Sequence, residues 1–493
     1  MLHIIRQSPV MIALALSLLT SACTTNRATG EQSFTAFMSE EDEMRVGAEQ
    51  HPKILAEFGG AYGDIRLESY VTSVGNRLAA VSELPNLHFK FTILNDEKVN
   101  AFALPGGYVY ITRGLLALAE NEAEMAGVLA HEIGHITARH TAQRQSTAQA
   151  TNIGLTVLGV LGSVVGLPTG IGQAVSFGAQ AVVQSYSRKQ ELEADMLGVR
   201  YISRAGYSPD GMTSFFRKLE SHSKLEAAMK GENNGKFNIM STHPRTEDRI
   251  VQAIHLAAEK QVNHPRIGQN AFLEQIDGII FGSDSTQGII RDQEFLHPGL
   301  KIKFQVPEGF TLFNSPGNVT AIGPAKSRIV FDMAGQTEAT QISNLTRYLT
   351  DAYGKNLSLS GVERIDVNGM EGATGTGQVQ TQDGQRDIRL LVLRGGHEQI
   401  FRMAFLTPPD RTAILNEDLR RTTYSIRRLT DAETNELKPL RIRLISVSQG
   451  DSVASLARHM PLGKFNEQWF RVLNGLTDDI SLRTGQRVKV VIR

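Results

Sequence analysis

The chain has 493 residues, which is too long for a single hydrophobic core, so about two to four domains are expected. Apolar residues make up 41% of the chain and charged residues 21%, as in an ordinary folded protein. Lys and Arg total 51, as do Asp and Glu, and this balance argues against a nucleic-acid partner and against a strongly anionic surface.

Residues 1–22 are predicted to be a secretory signal peptide. Arg6 gives a short basic start, and the apolar stretch around Val10–Leu19 is too short for a comfortable membrane span. Cys23, the chain's only cysteine, cannot form an internal disulfide, and TSAC resembles a bacterial lipobox. We therefore expect lipid attachment at Cys23; the alternative is ordinary signal cleavage beside an incidental cysteine. By resemblance to bacterial lipoproteins, Thr24 after this cysteine favours the outer membrane.

A linker over residues 23–38 leads into a mainly helical domain with a small β-sheet, predicted over residues 39–265. Ser39, with Asp42 three residues later, marks the start of its first helix. The alternating segments LHFKFTIL, VNAFAL and GYVYIT predict short strands. Asn121 begins a capping-box signal, NEAE, at the start of the next helix.

This helix contains GVLAHEIGHITARH, in which two histidines lie four residues apart. Positions four apart on an α-helix face the same way, so His131 and His135 can both reach one Zn²⁺ ion. Glu132, directly after the first histidine, is placed to accept a proton from a metal-activated water. The pattern HExxH is typical of zinc peptidases; the alternative is a solvated helix face that carries polar residues. His140 and Arg139 are interpreted as helix-surface or structural residues.

The segment Gln145–Ser187 contains no charged residue and is rich in glycine. Its uninterrupted apolar part, Ile153–Leu167, is shorter than the roughly 20 residues that a membrane span requires. We interpret it as a buried or lid-like helical hairpin over the site; a segment that touches the membrane is the alternative.

A catalytic zinc ion needs a third protein ligand, and the helix in SRKQELEADMLG offers one. Glu191 and Asp195 lie one turn apart on the same face, whereas Glu193 points roughly the opposite way. We expect Glu191 to be the ligand and Asp195 to orient a ligand histidine. The alternative is an acidic cluster on an exposed helix.

The segments NAFALPGGYVYITRGLL, NEAEMAGVLAHEIGHITARH, SRKQELEADMLG and STHPRTEDRI occur in this order. Together they resemble the metallopeptidase family of HtpX and the CAAX prenyl endopeptidases, and within it the soluble, exported bacterial branch. The resemblance covers roughly residues 39–258 and implies an α+β zincin (gluzincin) fold. It also implies one Zn²⁺ ion per chain, held by His131, His135 and Glu191, with Glu132 as general base and Asp195 as support.

The resemblance also brings His243, in STHPRTEDR, near the metal. It implies a catalytic-site role for this residue, either as a fourth ligand that keeps the enzyme latent or as a donor to the tetrahedral oxyanion. Taken alone, a histidine before a proline is usually a turn residue.

Two further regions follow the predicted peptidase domain. Residues 296–430 alternate as strands around one helix near Thr340–Tyr353, and this α+β layout weakly resembles the PsbP/Mog-like fold. Residues 441–493 read as strand, helix, helix and strand, and they look like a LysM module, a class that binds N-acetyl sugars of peptidoglycan or chitin. A purely structural LysM-like cap is the alternative.

These observations predict a zinc endopeptidase tethered by lipid to the periplasmic face of the outer membrane of a Gram-negative bacterium. By resemblance, its substrates are misfolded, stalled or misassembled envelope proteins, and residues 441–493 add a candidate contact with peptidoglycan. We expect the substrate backbone to pair with the GGYVYI edge. The competing hypothesis is a peptidoglycan-anchored binding or chaperone-like protein with a structural or latent zinc site.

Overall fold

The structure is a computed structural model. It describes residues 23–151, 186–230, 243, 247–259, 262–315, 317–381, 384–396, 398–477 and 481–493. The predicted signal peptide and most of the uncharged segment Gln145–Ser187 therefore lie outside the described residues. Within the described ranges, no helix combines the length and the apolar character needed to cross a membrane.

The chain divides into two compact units. The first contains Met1–Leu55, Gly60–Ile279 and Arg441–Ile492, and the second contains Ala56–Gly59 and Ile280–Leu440. Helices and several sheets occur in both units, so the mixed α+β class is confirmed. The finer assignments to zincin, PsbP/Mog-like and LysM-like folds, and the predicted domain limits, stay predictions.

The first unit begins with a hairpin, β1 (Cys23–Thr25) and β2 (Gln32–Phe34), whose strands are antiparallel. The hairpin is fixed to the rest of the unit by side-chain contacts. Asn26, in the turn between the two strands, donates from Nδ2 to the carbonyl oxygen of Ala138 at 2.8 Å. Arg200 donates to the carbonyl oxygen of Ala28 at 3.0 Å.

The predicted strands of this unit form a three-stranded sheet in the order β3, β5, β4. Its strands are β3 (Lys90–Leu94), β4 (Ala101–Leu104) and β5 (Tyr108–Thr112). β5 is parallel to β3 and antiparallel to β4. The expectation that GGYVYI forms a free edge is therefore wrong, because β5 is paired on both sides. Among the described strands, β4 pairs with β5 alone.

Capping residues set the starts of the helices that matter for the site. Asn121 accepts the N–H of Glu124 at 2.9 Å through its side chain, and Ser187 forms a capping box with Gln190. The helices of this unit before residue 280 are α1 (Glu40–Glu57), α2 (Ile65–Ala79), α3 (Arg113–Leu118), α4 (Glu122–Thr137), α5 (Arg188–Arg204), α6 (Asp210–Lys230), α7 (Glu247–Glu259) and α8 (Gln269–Ile276). Residues 140–151 are helical as well.

The C-terminal residues of the first unit follow the expected order of strand, helix, helix and strand. The strands β18 (Leu440–Ser446) and β19 (Arg487–Ile492) are antiparallel, and α13 (Val453–Ala457) and α14 (Asn466–Leu473) lie between them in the chain. A 3₁₀ turn, Gly463–Phe465, precedes α14. These residues group with Gly60–Ile279 in one compact unit rather than forming a unit of their own.

The second unit is built on a seven-stranded antiparallel sheet in the order β10, β11, β12, β16, β15, β14, β13, with a four-stranded sheet in the order β17, β9, β8, β7. One face of the larger sheet packs with Phe295, Phe304 and Leu419 in a common core, and Leu345 and Leu349 belong to a second core. The strands of these two sheets are β7 (Ile289–Arg291), β8 (Glu294–His297), β9 (Ile302–Gln305), β10 (Thr311–Ser315), β11 (Asn318–Ile322), β12 (Arg328–Met333), β13 (Ser360–Val367), β14 (Met370–Thr381), β15 (Gly384–Gly396), β16 (Gln399–Thr407) and β17 (Arg427–Arg428). The two-residue strand β6 (Ile280–Phe281) belongs to neither of them. The helices are α9 (Gln336–Gln341), α10 (Leu345–Tyr348), α11 (Pro409–Ser425) and α12 (Asp431–Glu436), with short 3₁₀ and π turns at Pro324–Lys326 and Leu349–Tyr353.

Candidate metal centre

The helix α4 carries the HExxH residues through the interior of the first unit, and every one of its residues is buried. A helix that is enclosed on all sides needs close neighbours, and glycines allow them here. A Cβ atom at Gly134 would lie 3.1 Å from the carbonyl oxygen of Ala194 on α5, and one at Gly198 would lie 3.2 Å from the backbone nitrogen of His131. This close packing brings α5 and its acidic residues against the two histidines.

Four buried side chains converge between these helices and the segment that holds His243. One ligand atom from each of His131, His135, Glu191 and His243 lies within 4.8 Å of the others. The Nε2 atoms of His131 and His135 are 3.0 Å apart, and the Glu191 carboxylate lies 3.6 Å from the first and 3.5 Å from the second. His243 Nδ1 lies 2.9 Å from Glu191 Oε1 and 3.2 Å from His131 Nε2.

This donor set fits a divalent metal ion. Two imidazole nitrogens and a carboxylate are typical ligands of a catalytic zinc ion. A carboxylate with no hydrogen-bonding partner is costly in a protein interior, yet no hydrogen bond from a described residue reaches either buried oxygen of Glu132. A polar species at the centre of the cluster, such as a metal ion with its water, would satisfy these atoms.

The protonation of Glu132 and His243 is coupled, because His243 Nε2 lies 3.4 Å from Glu132 Oε1. Burial raises the pKa of Glu132, while His243 and His131 act in the opposite direction. Burial alone would lower the pKa of His243, but Glu191 and Glu132 raise it above its usual value. A carboxylate with a raised pKa is a suitable proton acceptor near neutral pH.

Asp195 orients His131 and is itself held by an arginine. Its Oδ1 atom lies 2.9 Å from His131 Nδ1, so the other ring nitrogen faces the cluster. Arg249 donates to both oxygens of Asp195, at 2.7 and 2.8 Å, and its Nη1 lies 2.6 Å from Glu191 Oε2. Burial would raise the pKa of Asp195, but Arg249 lowers it, so this carboxylate is ionised beside the candidate ligands.

His135 is likewise held in place by neighbouring side chains. Its Nδ1 atom is 2.8 Å from His140 Nδ1, and His140 Nε2 is 3.1 Å from Glu193 Oε2. The Tyr186 ring stacks on His135 with the ring centroids 3.7 Å apart, and the Arg144 guanidinium lies 4.1 Å from the Tyr186 ring centroid. Each cluster histidine on α4 thus has a polar atom within 3 Å of its Nδ1, at 2.9 Å for His131 and 2.8 Å for His135, while Nε2 is directed at the cluster.

The structure therefore brings together every residue that the sequence assigned to the centre: His131, Glu132, His135, Glu191, Asp195 and His243. Cys23 lies elsewhere, as the first residue of β1. Of the two interpretations of His140, a helix-surface or a structural residue, the first is excluded because its side chain is fully buried. The sequence analysis assigned no role to Arg249 or Tyr186. Arg249 lies within the motif segment STHPRTEDRI, and Tyr186 directly precedes SRKQELEADMLG.

Comparison with known proteins agrees with this centre. The family model described as Peptidase family M48 matches residues 66–257, and this range includes every residue of the candidate metal centre. The beta-barrel assembly-enhancing protease of Yersinia pestis is 32% identical over 245 residues, 48% of this chain and 48% of that protein. The protein of that name in Escherichia coli K12 is 31% identical over 43% of each chain. The mitochondrial metalloendopeptidase OMA1 of Schizosaccharomyces pombe is 29% identical, over 45% of this chain and 62% of its own.

The chain spans about half the length of the first of these relatives. Among solved structures, the cyanobacterial PsbP of Synechocystis is 16% identical and covers 30% of this chain and 98% of its own, with a TM-score of 0.22. The LpqN protein of Mycobacterium tuberculosis is 14% identical and covers 26% of this chain and 83% of its own, with a TM-score of 0.21.

Proposed function

We propose that this chain, which carries a peptidase family M48 domain, is a zinc-dependent endopeptidase of the bacterial envelope. The observation that carries the proposal is the buried cluster of His131, His135 and Glu191 beside Glu132, whose oxygens accept no hydrogen bond from the described residues. His131, His135 and Glu191 would hold one Zn²⁺ ion. Such an ion lowers the pKa of a water molecule towards about 7 and polarises the scissile carbonyl group.

The protein's own residues would perform the proton transfer and hold the geometry. Glu132 accepts the proton from the attacking water and then delivers it to the leaving amine. Asp195 and His140 hold the two ligand imidazoles with Nε2 directed at the metal, through contacts of 2.9 Å to His131 and 2.8 Å to His135. Arg249 keeps Asp195 ionised, so that it remains a hydrogen-bond acceptor.

The substrate backbone would pair with β4 rather than with β5. Among the described strands β4 has a single neighbour, and its last residue, Leu104, lines a small cavity together with His135 and Tyr186. A larger cavity of about 500 Å³ shares Ile136 and Arg139 with the small one, which leaves room for side chains of an extended peptide. Pairing between backbones accepts many sequences, as cleavage of unfolded proteins requires.

The substrates and the location are drawn from the names of the relatives and from the N-terminal sequence. Relatives named beta-barrel assembly-enhancing protease support misfolded or stalled envelope proteins as substrates. Cys23, after a signal-like segment, supports a lipid anchor that holds the protein at the periplasmic face of the outer membrane. A contact of residues 441–493 with peptidoglycan remains part of this proposal.

The proposal is tested by zinc content and by cleavage of an unfolded protein such as casein. We expect about one zinc ion per purified chain, cleavage that a chelator abolishes, and recovery when zinc is returned. A chain that binds zinc tightly but leaves casein intact under all conditions would favour the second candidate. That candidate is a peptidoglycan-anchored binding or chaperone-like protein, and the presence of His243 as a fourth candidate ligand favours it.

The variant His243→Ala is expected to raise the cleavage rate, or to cause self-cleavage, with zinc retained. The reason is that His243 Nδ1 lies among the ligand atoms, at 2.9 Å from Glu191 Oε1, where it would occupy a coordination position that water or substrate needs. The exposed histidine of α7 provides the control, His255→Ala, which should leave the rate unchanged. A fall by about 10²–10³ would instead assign His243 as the oxyanion donor. An unchanged rate would reject both roles.

The variant Cys23→Ser is expected to abolish lipid modification and to release the processed protein from the membrane fraction, because oxygen does not replace the thiol in lipid attachment. Fractionation and the mass of the mature N-terminus measure the result, and Thr25→Ser, which leaves the thiol in place, is the control. If Cys23→Ser stays with the membranes, the uncharged segment Gln145–Ser187 becomes the better candidate for the anchor.

A further inference from the structure

A lysine from the last strand is buried in the first unit. Lys489 lies in β19 and is only 1% exposed. Its Nζ atom donates to three backbone carbonyl oxygens, at 2.8 Å to Ala117, 3.0 Å to Leu118 and 2.7 Å to Ala119. Burial lowers the pKa of Lys489, whereas the three carbonyl acceptors favour its protonated form, because they match the three protons of an ammonium group.

These carbonyl groups lie directly before α4, the helix that carries the HExxH residues. Leu118 ends α3, Ala119 is its C-terminal cap, and Asn121 caps the start of α4. The last carbonyl groups of a helix have no partner within it, and a cation placed there satisfies them and interacts favourably with the helix dipole. Lys489 therefore fixes the short connection that determines where α4 begins.

Glu120, inside this connection, is also in close contact with the C-terminal residues. It pairs with Lys218 of α6, and its N–H donates to Glu124 at 2.8 Å. A Cβ atom at Gly475 would clash with Glu120 Oε1, so the turn after α14 is in close contact with Glu120. The side chain of Asn474 accepts the N–H of Lys489 at 2.7 Å and donates to its carbonyl oxygen at 2.9 Å, which joins this turn to β19.

A second set of contacts joins β18 to the segment after α8. Gly278 donates to the carbonyl oxygen of Ile442, and Ile442 donates to that of Ile279, both at 2.9 Å. Arg487 of β19 donates to Glu274 at 2.8 Å. Residues 441–492 thus contact the rest of the first unit at two places, the segment after α8 and the connection before α4.

We propose that residues 441–493 brace the catalytic helix from within the same chain and that Lys489 is a positioning residue for the reaction. His131 lies on α4 only ten positions after Asn121, so a shift at the start of this rigid helix moves the metal ligands. Displacements of about 1 Å far from the chemistry can lower a rate about 10²-fold. The part of this inference that concerns rates rests on the proposed peptidase function; the brace itself does not.

The first test is Lys489→Met in the full chain, with Lys464→Met as the control. Methionine keeps the length and apolar stem but has no donor for the three carbonyl groups. Lys464 lies in the same C-terminal region with an exposed side chain. We expect kcat to fall about 10-fold to 100-fold in Lys489→Met, with zinc content kept and KM changed less than about 2-fold, because the edge of β4 is untouched.

A second pair of variants tests the same contact without changing Lys489, so the test does not depend on whether Lys489→Met folds. Gly475 and Gly463 both have positive φ angles, +58° and +65°, so alanine strains the backbone similarly at both. Only the added Cβ at Gly475 meets Glu120; the one at Gly463 has nothing within 4 Å. We expect Gly475→Ala, and not Gly463→Ala, to lower kcat with zinc retained.

Hydrogen–deuterium exchange gives a readout that does not depend on activity. We expect faster exchange over residues 117–131 in Lys489→Met and Gly475→Ala, and wild-type exchange in both controls. Wild-type kcat together with wild-type exchange in Lys489→Met and Gly475→Ala would overturn the brace. So would equal losses in the test variants and their controls. If the wild-type chain cleaves nothing, the proposed function fails, while exchange over residues 117–131 still decides whether the brace exists.

Discussion

Replacing Glu132 with glutamine is expected to lower the rate of peptide hydrolysis by about 10²–10⁴-fold while zinc stays bound. Glutamine keeps the size and polarity of the side chain but cannot accept the proton of the attacking water. Glu132 is fully buried and directly follows a candidate ligand without being a member of the four-residue cluster, so its change leaves that cluster intact. The measurement is kcat on casein or a quenched peptide, together with zinc content by mass spectrometry.

The control for this change is Glu49→Gln, which alters an exposed glutamate that pairs with Arg45 on α1. It should have wild-type activity and zinc content. Loss of zinc from Glu132→Gln in step with activity would mean that Glu132 is structural, and the assignment of the general base would then be wrong.

Replacing Glu191 with alanine is expected to remove zinc and, with it, all measurable cleavage. Its carboxylate lies 3.6 and 3.5 Å from the Nε2 atoms of His131 and His135, so its removal takes away the only carboxylate among the four candidate ligands. We expect the zinc affinity to fall by more than about 100-fold, which exceeds the usual effect of a residue that only supports a ligand. Competition with a chromogenic chelator measures this affinity.

Glu193, on the same helix, provides a graded comparison. It reaches the centre only through His140, at 3.1 Å, so Glu193→Ala should retain zinc and weaken its binding by no more than about 10-fold to 100-fold. Glu220→Ala, on the exposed face of α6, should change nothing. Equal zinc retention in Glu191→Ala and Glu193→Ala would contradict the assignment of Glu191 as a ligand.

The sequence predicts the centre best where its residues share one helix. His131 with His135, and Glu191 with Asp195, are pairs at a spacing of four, and helical geometry alone aligns each pair. That the two pairs meet depends on the packing of α4 against α5. This packing leaves no local pattern beyond glycines such as Gly134. The approach of His243 came from family resemblance rather than from spacing.

The residues that contact the candidate ligands from outside the cluster were not predictable from periodicity. Arg249 reaches Asp195 across 54 positions, and Tyr186 stacks on His135 from another segment. Neither residue type is unusual where it stands, so a sequence gives no reason to select it. His140 belongs to the motif segment, but its burial depends on Glu193 of α5, a contact that only the tertiary fold creates.

The order of the strands in a sheet could not be predicted from the sequence either. Alternation predicts that GYVYIT is a strand but does not fix its neighbours, and β5 lies between β3 and β4. The C-terminal residues raise the same difficulty, because Lys489 in RVKVVI reads as an exposed residue within an apolar strand. It is buried because carbonyl groups more than 300 positions away accept its protons.

A lipid on Cys23 would, through the hairpin at the start of the described chain, limit where the proposed peptidase acts. Asn26, three residues after Cys23, is fixed to Ala138 directly after α4. An extended chain covers about 3.3–3.6 Å per residue, so only about 10 Å of polypeptide separates Cys23 from that attachment. With a lipid on Cys23, no long flexible linker would separate the membrane from the proposed active site. The protein would then act only on polypeptides that come to the bilayer surface. The residence time of a polypeptide at that surface, rather than its bulk concentration, would then select it for cleavage.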